Sequence, residues 1–372
     1  MFSKKKYFLY YNIFFATILL IIIGTVFVLS SSFSYGIAQN NPTLYLKKHI
    51  IYLTLGFILV WVFKKVPLEK IETFIYPLFI FSLFLLPLPT LLKGERWIQL
   101  GPFSFQPSEI VKLTFIFFLA KYFKDRYKNV NEFKVLILPI FLYLLIIGLL
   151  ELQKDYGSFV LITCIFLSIL ILCGLNRKTL LIFSAFIIGI GILFILPSHY
   201  RRNRIKAFIN PFSDPNGIGY HIIQSRIAIS SGGLFGKGLG AGTGKLRYIP
   251  ESHKDYVYAV VAEELGFIRT VGILILFGII VFSGFEVSKL NENIFEKILT
   301  YGISFMFGSQ FLLHSGVSLT ILPPKGTTFP FFSVGGSSLI VNMLSLGILL
   351  KIAENIANQG SLKDIEDTII KI

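Results

Sequence analysis

Acidic residues are scarce in this chain. Twenty Asp and Glu stand against 35 Lys and Arg, and charged residues of both signs fill only 15% of its 372 positions. Soluble domains carry about 25%, so the shortfall excludes an ordinary soluble globule. Cysteine is nearly absent as well. Cys164 and Cys173 fall in one predicted helix, separated by about 13 Å at 1.5 Å per residue, beyond disulfide reach. They read as small apolar fillers and say nothing about redox compartment. The five histidines, His49, His199, His221, His253 and His314, have no metal-ligand spacing and no cysteine partner, which argues against a dedicated zinc site. No repeat with a period of about 20–50 residues divides the chain, and neither does a low-complexity linker.

A nucleotide loop is also missing. The run Gly238-Leu239-Gly240-Ala241-Gly242-Thr243-Gly244-Lys245-Leu246 comes near one in letters. A Walker A loop, however, needs Gly where Leu239 stands and Ser or Thr where Leu246 stands. Gly236 to Ala241 spells G-x-G-x-x-A without a βαβ context. These glycines read instead as tight turns of a loop at the membrane surface. Nucleic acid is not an implied partner.

What is abundant is apolar: 54% hydrophobic residues, 39 Phe and a mean hydropathy of +0.73. Ten apolar runs, at about 8–30, 49–63, 71–92, 108–123, 135–151, 156–175, 179–197, 256–282, 295–319 and 331–353, are each read as crossing about 30 Å of hydrocarbon, the second being short. The expectation is an all-α polytopic membrane protein, one domain over 1–372. The first run follows Lys4–Lys6 and exceeds the 7–15 residues of a secretory core, so it reads as a retained span. The tail at about 354–372 reads as a short polar, amphipathic end (Leu362, Ile365, Ile369, Ile370).

Ten spans put both termini on one side. With that side inside, inner loops hold 18 basic residues and the short outer loops six, among them Lys47, Lys48, Lys93 and Arg96. This fixes the orientation by the positive-inside rule. The same orientation places one long loop, about 197–255 between the seventh and eighth spans, outside. It holds nine cations against Asp214, Glu251 and Asp255. Cations on the disfavoured side, beside a bilayer, point to an anionic partner, either lipid headgroups or a specific lipid-linked phosphate.

Three outer regions carry further chemistry. In Arg96-Trp97-Ile98 … Gln106-Pro107-Ser108-Glu109 … Lys112, Pro107-Ser108 is a helix start and Glu109 and Lys112 share a face at i, i+3. There they neutralise one another as an orienting ion pair, or else touch substrate. In Gln153-Lys154-Asp155-Tyr156-Gly157, Asp155 reads as a helix cap or a ligand. In Pro250–Gly266, Asp255 sits at the mouth of the eighth span, as an N-cap or as a poorly solvated base beside Lys254 and Arg247. Glu263 and Glu264 lie two turns deeper, with Arg269 as their expected partner.

Together these blocks resemble the SEDS family (shape, elongation, division and sporulation), the FtsW/RodA-type polymerases of bacterial cell-wall glycan. The long-loop run Asp214-Pro215 … Gly219-Tyr220 … Gln224-Ser225 … Ser231-Gly232-Gly233 carries the resemblance, as do Glu263-Glu264-Leu265-Gly266 and Leu322-Pro323 … Pro330-Phe331 … Ser333 … Gly335-Gly336-Ser337-Ser338. Val334 stands where the family usually has Tyr, Lys254 where it often has Thr, and Arg269 where it has a small residue. Pro324-Lys325-Gly326 is closer to the division branch than to the elongation branch.

The resemblance implies a lipid II polymerase of the bacterial cytoplasmic membrane with both termini cytoplasmic. Asp255 would be the general base. Arg201, Arg202, Arg204, Lys206, Lys245, Arg247 and Lys254 would hold pyrophosphate. Gln224, Arg96, Glu109, Lys112, Ser333 and Ser337 are further candidates for substrate contact. It implies a class B penicillin-binding protein transpeptidase and other division or elongation proteins as partners. No motif requires a cofactor; a divalent cation (Mg or Mn) sharing the pyrophosphate is the one left open. The rival expectations are a lipid II flippase, with Glu109, Lys112, Glu263, Glu264 and Arg269 lining its route, and a non-catalytic scaffold.

Overall fold

The computed structural model describes residues 2–101, 103–245 and 253–369. In chain order its elements are α1 (Phe2–Ile37), α2 (Leu44–Lys65), α3 (Leu68–Leu85), α4 (Leu88–Lys93), β1 (Ile98–Leu100), β2 (Phe103–Phe105), α5 (Pro107–Lys124), α6 (Phe133–Leu152), α7 (Tyr156–Leu172), α8 (Arg177–Ile195), α9 (His199–Ile209), α10 (Ile218–Gly232), α11 (Val257–Leu290), α12 (Ile294–Ser318) and α13 (Gly336–Ile369). The protein is an all-α polytopic membrane protein. Each of the ten apolar runs falls largely on helix, the third divided between α3 and α4, and the segments containing α1, α2, α3, α6, α8, α11 and α13 are long and apolar enough to cross a membrane.

The three remaining long helices miss that standard for a reason visible in the packing. Helix α7 is only 17 residues long. Helix α5 carries Glu109, Lys112, Lys121 and Lys124, and α12 carries Gln310, His314 and several serines. Both lie in the middle of the bundle: α5 is buried along almost its whole length, and α12 packs against α5, α7 and α11. Interior helices can keep polar groups because protein, not lipid, faces them. By contrast α8 buries only Phe183 and Ile187, and its remaining surface must be apolar to suit hydrocarbon.

Helix boundaries follow the local chemistry. The Asp155 carboxylate caps α7 by accepting from the Ser158 amide at 3.2 Å, and Asn176 caps α8 through Thr179 at 2.8 Å. Asn293 caps α12 through the Phe295 amide at 3.0 Å. Pro107 opens α5 at a position where its missing N–H costs nothing. The segment before α5, expected as a plain loop, is an antiparallel hairpin pairing Ile98 with Phe105 and Gln99 with Ser104, turned at Gly101 with φ 61.

Two other segments differ from the sequence reading. The long loop at about 197–255 contains α9, a 3₁₀ turn at Pro211–Ser213 and α10. The expected tail is a continuation of α13 through Ile369.

The turn after α10 is built into α11. Gly266 has φ 75 and ψ 179, which breaks the ladder of α11. The Phe267 and Ile268 amides donate to the carbonyls of Gly233 and Leu234 at 2.9 and 3.2 Å. In exchange the Lys237 and Gly238 amides, both at 3.0 Å, donate to the carbonyls of Glu263 and Glu264. A neighbouring segment thus supplies the partners that the broken helix lacks, as buried backbone in an apolar setting requires.

Candidate active site

A cavity of about 510 Å³ opens among the ends of α2, α5, α7 and α13, the hairpin and the connection between α12 and α13. Asp255 lies on its wall two residues before α11. The backbone of Gly326 passes against this carboxylate: a Cβ there would stand 3.5 and 3.7 Å from its oxygens. Tyr256, not Asp255, occupies the N-cap of α11, and no side chain caps that helix. The N-cap expectation for Asp255 is therefore corrected. Burial, with the Asp255 charge beside it, pushes the Tyr256 phenol up.

The approach to Asp255 is pinned from the connection before α13. Ser333 Oγ donates to the Lys254 carbonyl at 2.8 Å and accepts from the Phe329 amide at 2.9 Å. The Val334 amide donates to the His253 carbonyl at 2.9 Å. The His253 ring lies against Tyr35 and Tyr45 in tilted contacts, with centroids at 4.4 and 5.0 Å. Ser337 likewise accepts from the Gln106 amide at 2.9 Å. These two serines brace the walls rather than line the cavity.

Two other carboxylates of the cavity are committed. Glu109 and Lys112, almost wholly buried, form an ion pair at 2.7 Å. Asp155 accepts from Gln106 Nε2 at 2.8 Å and Ser108 Oγ at 3.0 Å in addition to its cap. Exposed Arg96 and Lys254 and half-buried Lys48 place cations on the walls. Of the residues expected at the site, Asp255, Lys254, Arg96, Glu109 and Lys112 come together here.

The rest fall elsewhere. Arg201 pairs with Glu151 at 2.7 Å and lies over the Tyr156 ring, while Arg204 donates to the Pro324 carbonyl at 3.2 Å. Arg202 bonds the Leu196 carbonyl, and Lys206 is exposed. The first two fasten α9 onto α6, α7 and the α12–α13 connection. Gln224 borders a separate cavity of about 320 Å³ with Thr243, Gly244 and Glu263. Arg247 lies outside the described residues.

Lys245 is drawn inward. Its ammonium sits 2.8 Å from Glu264, which also accepts from Ser30 at 2.7 Å and from the Gly240 amide at 3.0 Å. Glu263 pairs with Lys237 at 2.6 Å and accepts from the amides of Thr243 and Gly244 at 2.9 and 3.0 Å. Arg269, the expected partner of both, donates instead to the Phe235 carbonyl at 3.1 Å. The glycine run that resembles a phosphate loop does cradle anions, and they are the chain's own carboxylates.

Sequence reasoning passed over Lys48, His49 and Gln310, all on the cavity wall. Their signal is legible afterwards: a lysine–histidine pair at the end of a span, and an amide inside an apolar helix. For a divalent cation the fit is poor. Among the described residues, no three His, Cys, Asp or Glu side chains converge as a metal site.

Comparison with known proteins adds the family. The cell cycle protein model of FtsW, RodA and SpoVE matches residues 10–358. The chain is 38% identical over 355 residues to the probable peptidoglycan glycosyltransferase FtsW of Coxiella burnetii, covering 92% of this chain and 95% of that protein. Over 349 residues it is also 38% identical to the Pasteurella multocida protein of the same name, covering 90% and 87%. Among solved structures, it superposes with TM-score 0.77 and 28% identity on a chain from a peptidoglycan synthase complex that coordinates polymerization and crosslinking, covering 93% and 97%. The rod shape determining protein RodA of Thermus thermophilus superposes with TM-score 0.66 at 26% identity, covering 93% and 96%.

Proposed function

The chain belongs to the FtsW, RodA and SpoVE family of cell cycle proteins, and on that premise we propose that it is a peptidoglycan glycosyltransferase of cell division that polymerises lipid II at the outer face of the cytoplasmic membrane. The observation that carries this is the Asp255 carboxylate on the wall of a cavity that also gathers the cations Arg96, Lys254 and Lys48. A sugar hydroxyl of the acceptor attacks the anomeric carbon of the donor. Its proton passes to Asp255, the new glycosidic bond forms, and the bond to the lipid pyrophosphate breaks. Pyrophosphate departs readily once its charge is met, here by Arg96, Lys254 and Lys48. One base suffices for such an activated donor, whereas hydrolysis of an unactivated glycoside usually takes two carboxylates.

Replacing Asp255→Asn should lower glycan synthesis from lipid II by about 100-fold or more while the melting temperature of the purified protein stays unchanged. Retained synthesis would remove Asp255 as the base. The flippase alternative is disfavoured because Glu109, Lys112, Glu263 and Glu264 are locked into separate networks rather than along one route. Labelled lipid II crossing vesicles without polymer formation would reverse that preference. Beside the solved synthase complex, a class B penicillin-binding transpeptidase is the natural partner.

A further inference from the structure

Most polar groups around the cavity have partners, so the ones that lack them stand out. Gln310 of α12 is 2% exposed and lines the cavity, and neither its amide nitrogen nor its amide oxygen has a hydrogen-bond partner. Because both atoms are unmet, exchanging them in the assignment changes nothing. Thr327 Oγ1, on the same cavity, is also buried and unpartnered. So is Nε2 of His49, a residue 3% exposed on α2. A buried amide left without partners is costly, so a native fold keeps one where something else, water or a ligand, completes it.

The chemistry of these groups differs from that of the rest of the cavity. Arg96, Lys254 and Lys48 are cations, suited to phosphate. Gln310 and Thr327 are neutral, and on the wall of one cavity they offer both donors and acceptors. A primary amide with both functions free matches a secondary amide, which presents one N–H and one carbonyl. The ionised oxygens of a lipid pyrophosphate only accept and give the Gln310 oxygen no donor, and a hydrocarbon chain offers neither function.

We propose that Gln310, helped by Thr327, is a specificity-determining residue that takes the 2-acetamido group of an N-acetylated hexosamine in the floor of the cavity. The assignment rests on lipid II polymerisation as the activity of this site. It places sugar recognition on α12 and pyrophosphate recognition on the cationic walls. It also accounts for an amide in the middle of α12 that packing alone leaves without a use.

The test compares wild type, Gln310→Leu and Thr327→Val on lipid II and on an analogue whose 2-acetamido groups are hydroxyls. Wild type should prefer lipid II by about tenfold or more. In Gln310→Leu that preference should collapse, with the loss on lipid II appearing mainly in KM. Its melting temperature without substrate should hold or rise, since leucine removes an unmet polar group and keeps the volume. Thr327→Val should weaken the preference in the same direction. A purely structural role for Gln310 predicts the reverse: a lower melting temperature with the preference intact, and that outcome overturns the proposal. If wild type polymerises lipid II and both variants discriminate as it does, this assignment alone fails. If wild type makes no polymer from either lipid, the assignment falls together with the activity on which it rests.

Discussion

Lys112 and Glu109 show how much a single pair can matter inside an apolar protein. At 2.7 Å and nearly fully buried, each carries a charge that water barely reaches. Removing one partner strands the other, at a cost of about 3–5 kcal/mol. Glu109→Ala should therefore lower the melting temperature sharply. The double variant Glu109→Leu, Lys112→Leu should recover much of that loss, though not polymerase activity if the pair touches substrate. Lys325 makes a second residue-scale case. It lies between α12 and α13, outside the spans, and burial pushes its ammonium down from 10.5 to about 8. The unfolded chain then binds more protons between these values, so stability rises with pH from about 8 to about 10.5, and the burden is full below 8. Lys325→Met should raise the melting temperature most near pH 7, and the gain should fade toward pH 10.5. An unchanging gain across that range would mean that charge burial is not its cause.

Among the elements, α11 is the most demanding. Its Gly266 holds a φ/ψ combination that only glycine adopts readily, and a Cβ there would collide with the Gly236 amide nitrogen. Gly266→Ala should cost about 1–3 kcal/mol in backbone strain alone, and more once the turn is displaced. The expected sign is a lower melting temperature, with protease cleavage appearing in the turn after α10. The sequence showed α11 as apolar but not as broken, because the break is satisfied by carbonyls and amides of the distant segment Gly233–Gly238. The hairpin of β1 and β2 escaped for a related reason: at three residues a strand, alternation is too short to recognise. The centrally placed α5 and α12 were legible as helices despite their polar residues, and only their packing shows why they can carry them.

For the whole molecule the orientation is open to direct measurement. The excess of Lys and Arg in the loops assigned inside predicts that Lys178, exposed at the start of α8, faces the cytoplasm and that Lys206, exposed on α9, faces outward. In a background with Cys164 and Cys173 replaced, an impermeant maleimide on intact cells should label Lys206→Cys and not Lys178→Cys. The reverse pattern would invert the bundle and move Asp255 to the wrong side for wall synthesis.

Hydropathy, proline and capping residues act over one helix or one turn, so the sequence alone determined the helical membrane class, the long apolar helices and the family blocks. Only the tertiary structure decided which polar groups meet. Ser30 and Glu264 are far apart in the chain yet bonded at 2.7 Å, and that contact helps draw Lys245 away from the surface. Gln310, Lys48 and Asp255 lie on three different segments and share one cavity. The long loop likewise looked like a single cationic surface and proved to be divided, because Arg201, Lys237 and Lys245 each found a carboxylate of the chain itself. The choice of partner for a charge depends on distance in space and on exclusion of water, and neither is written in the order of residues.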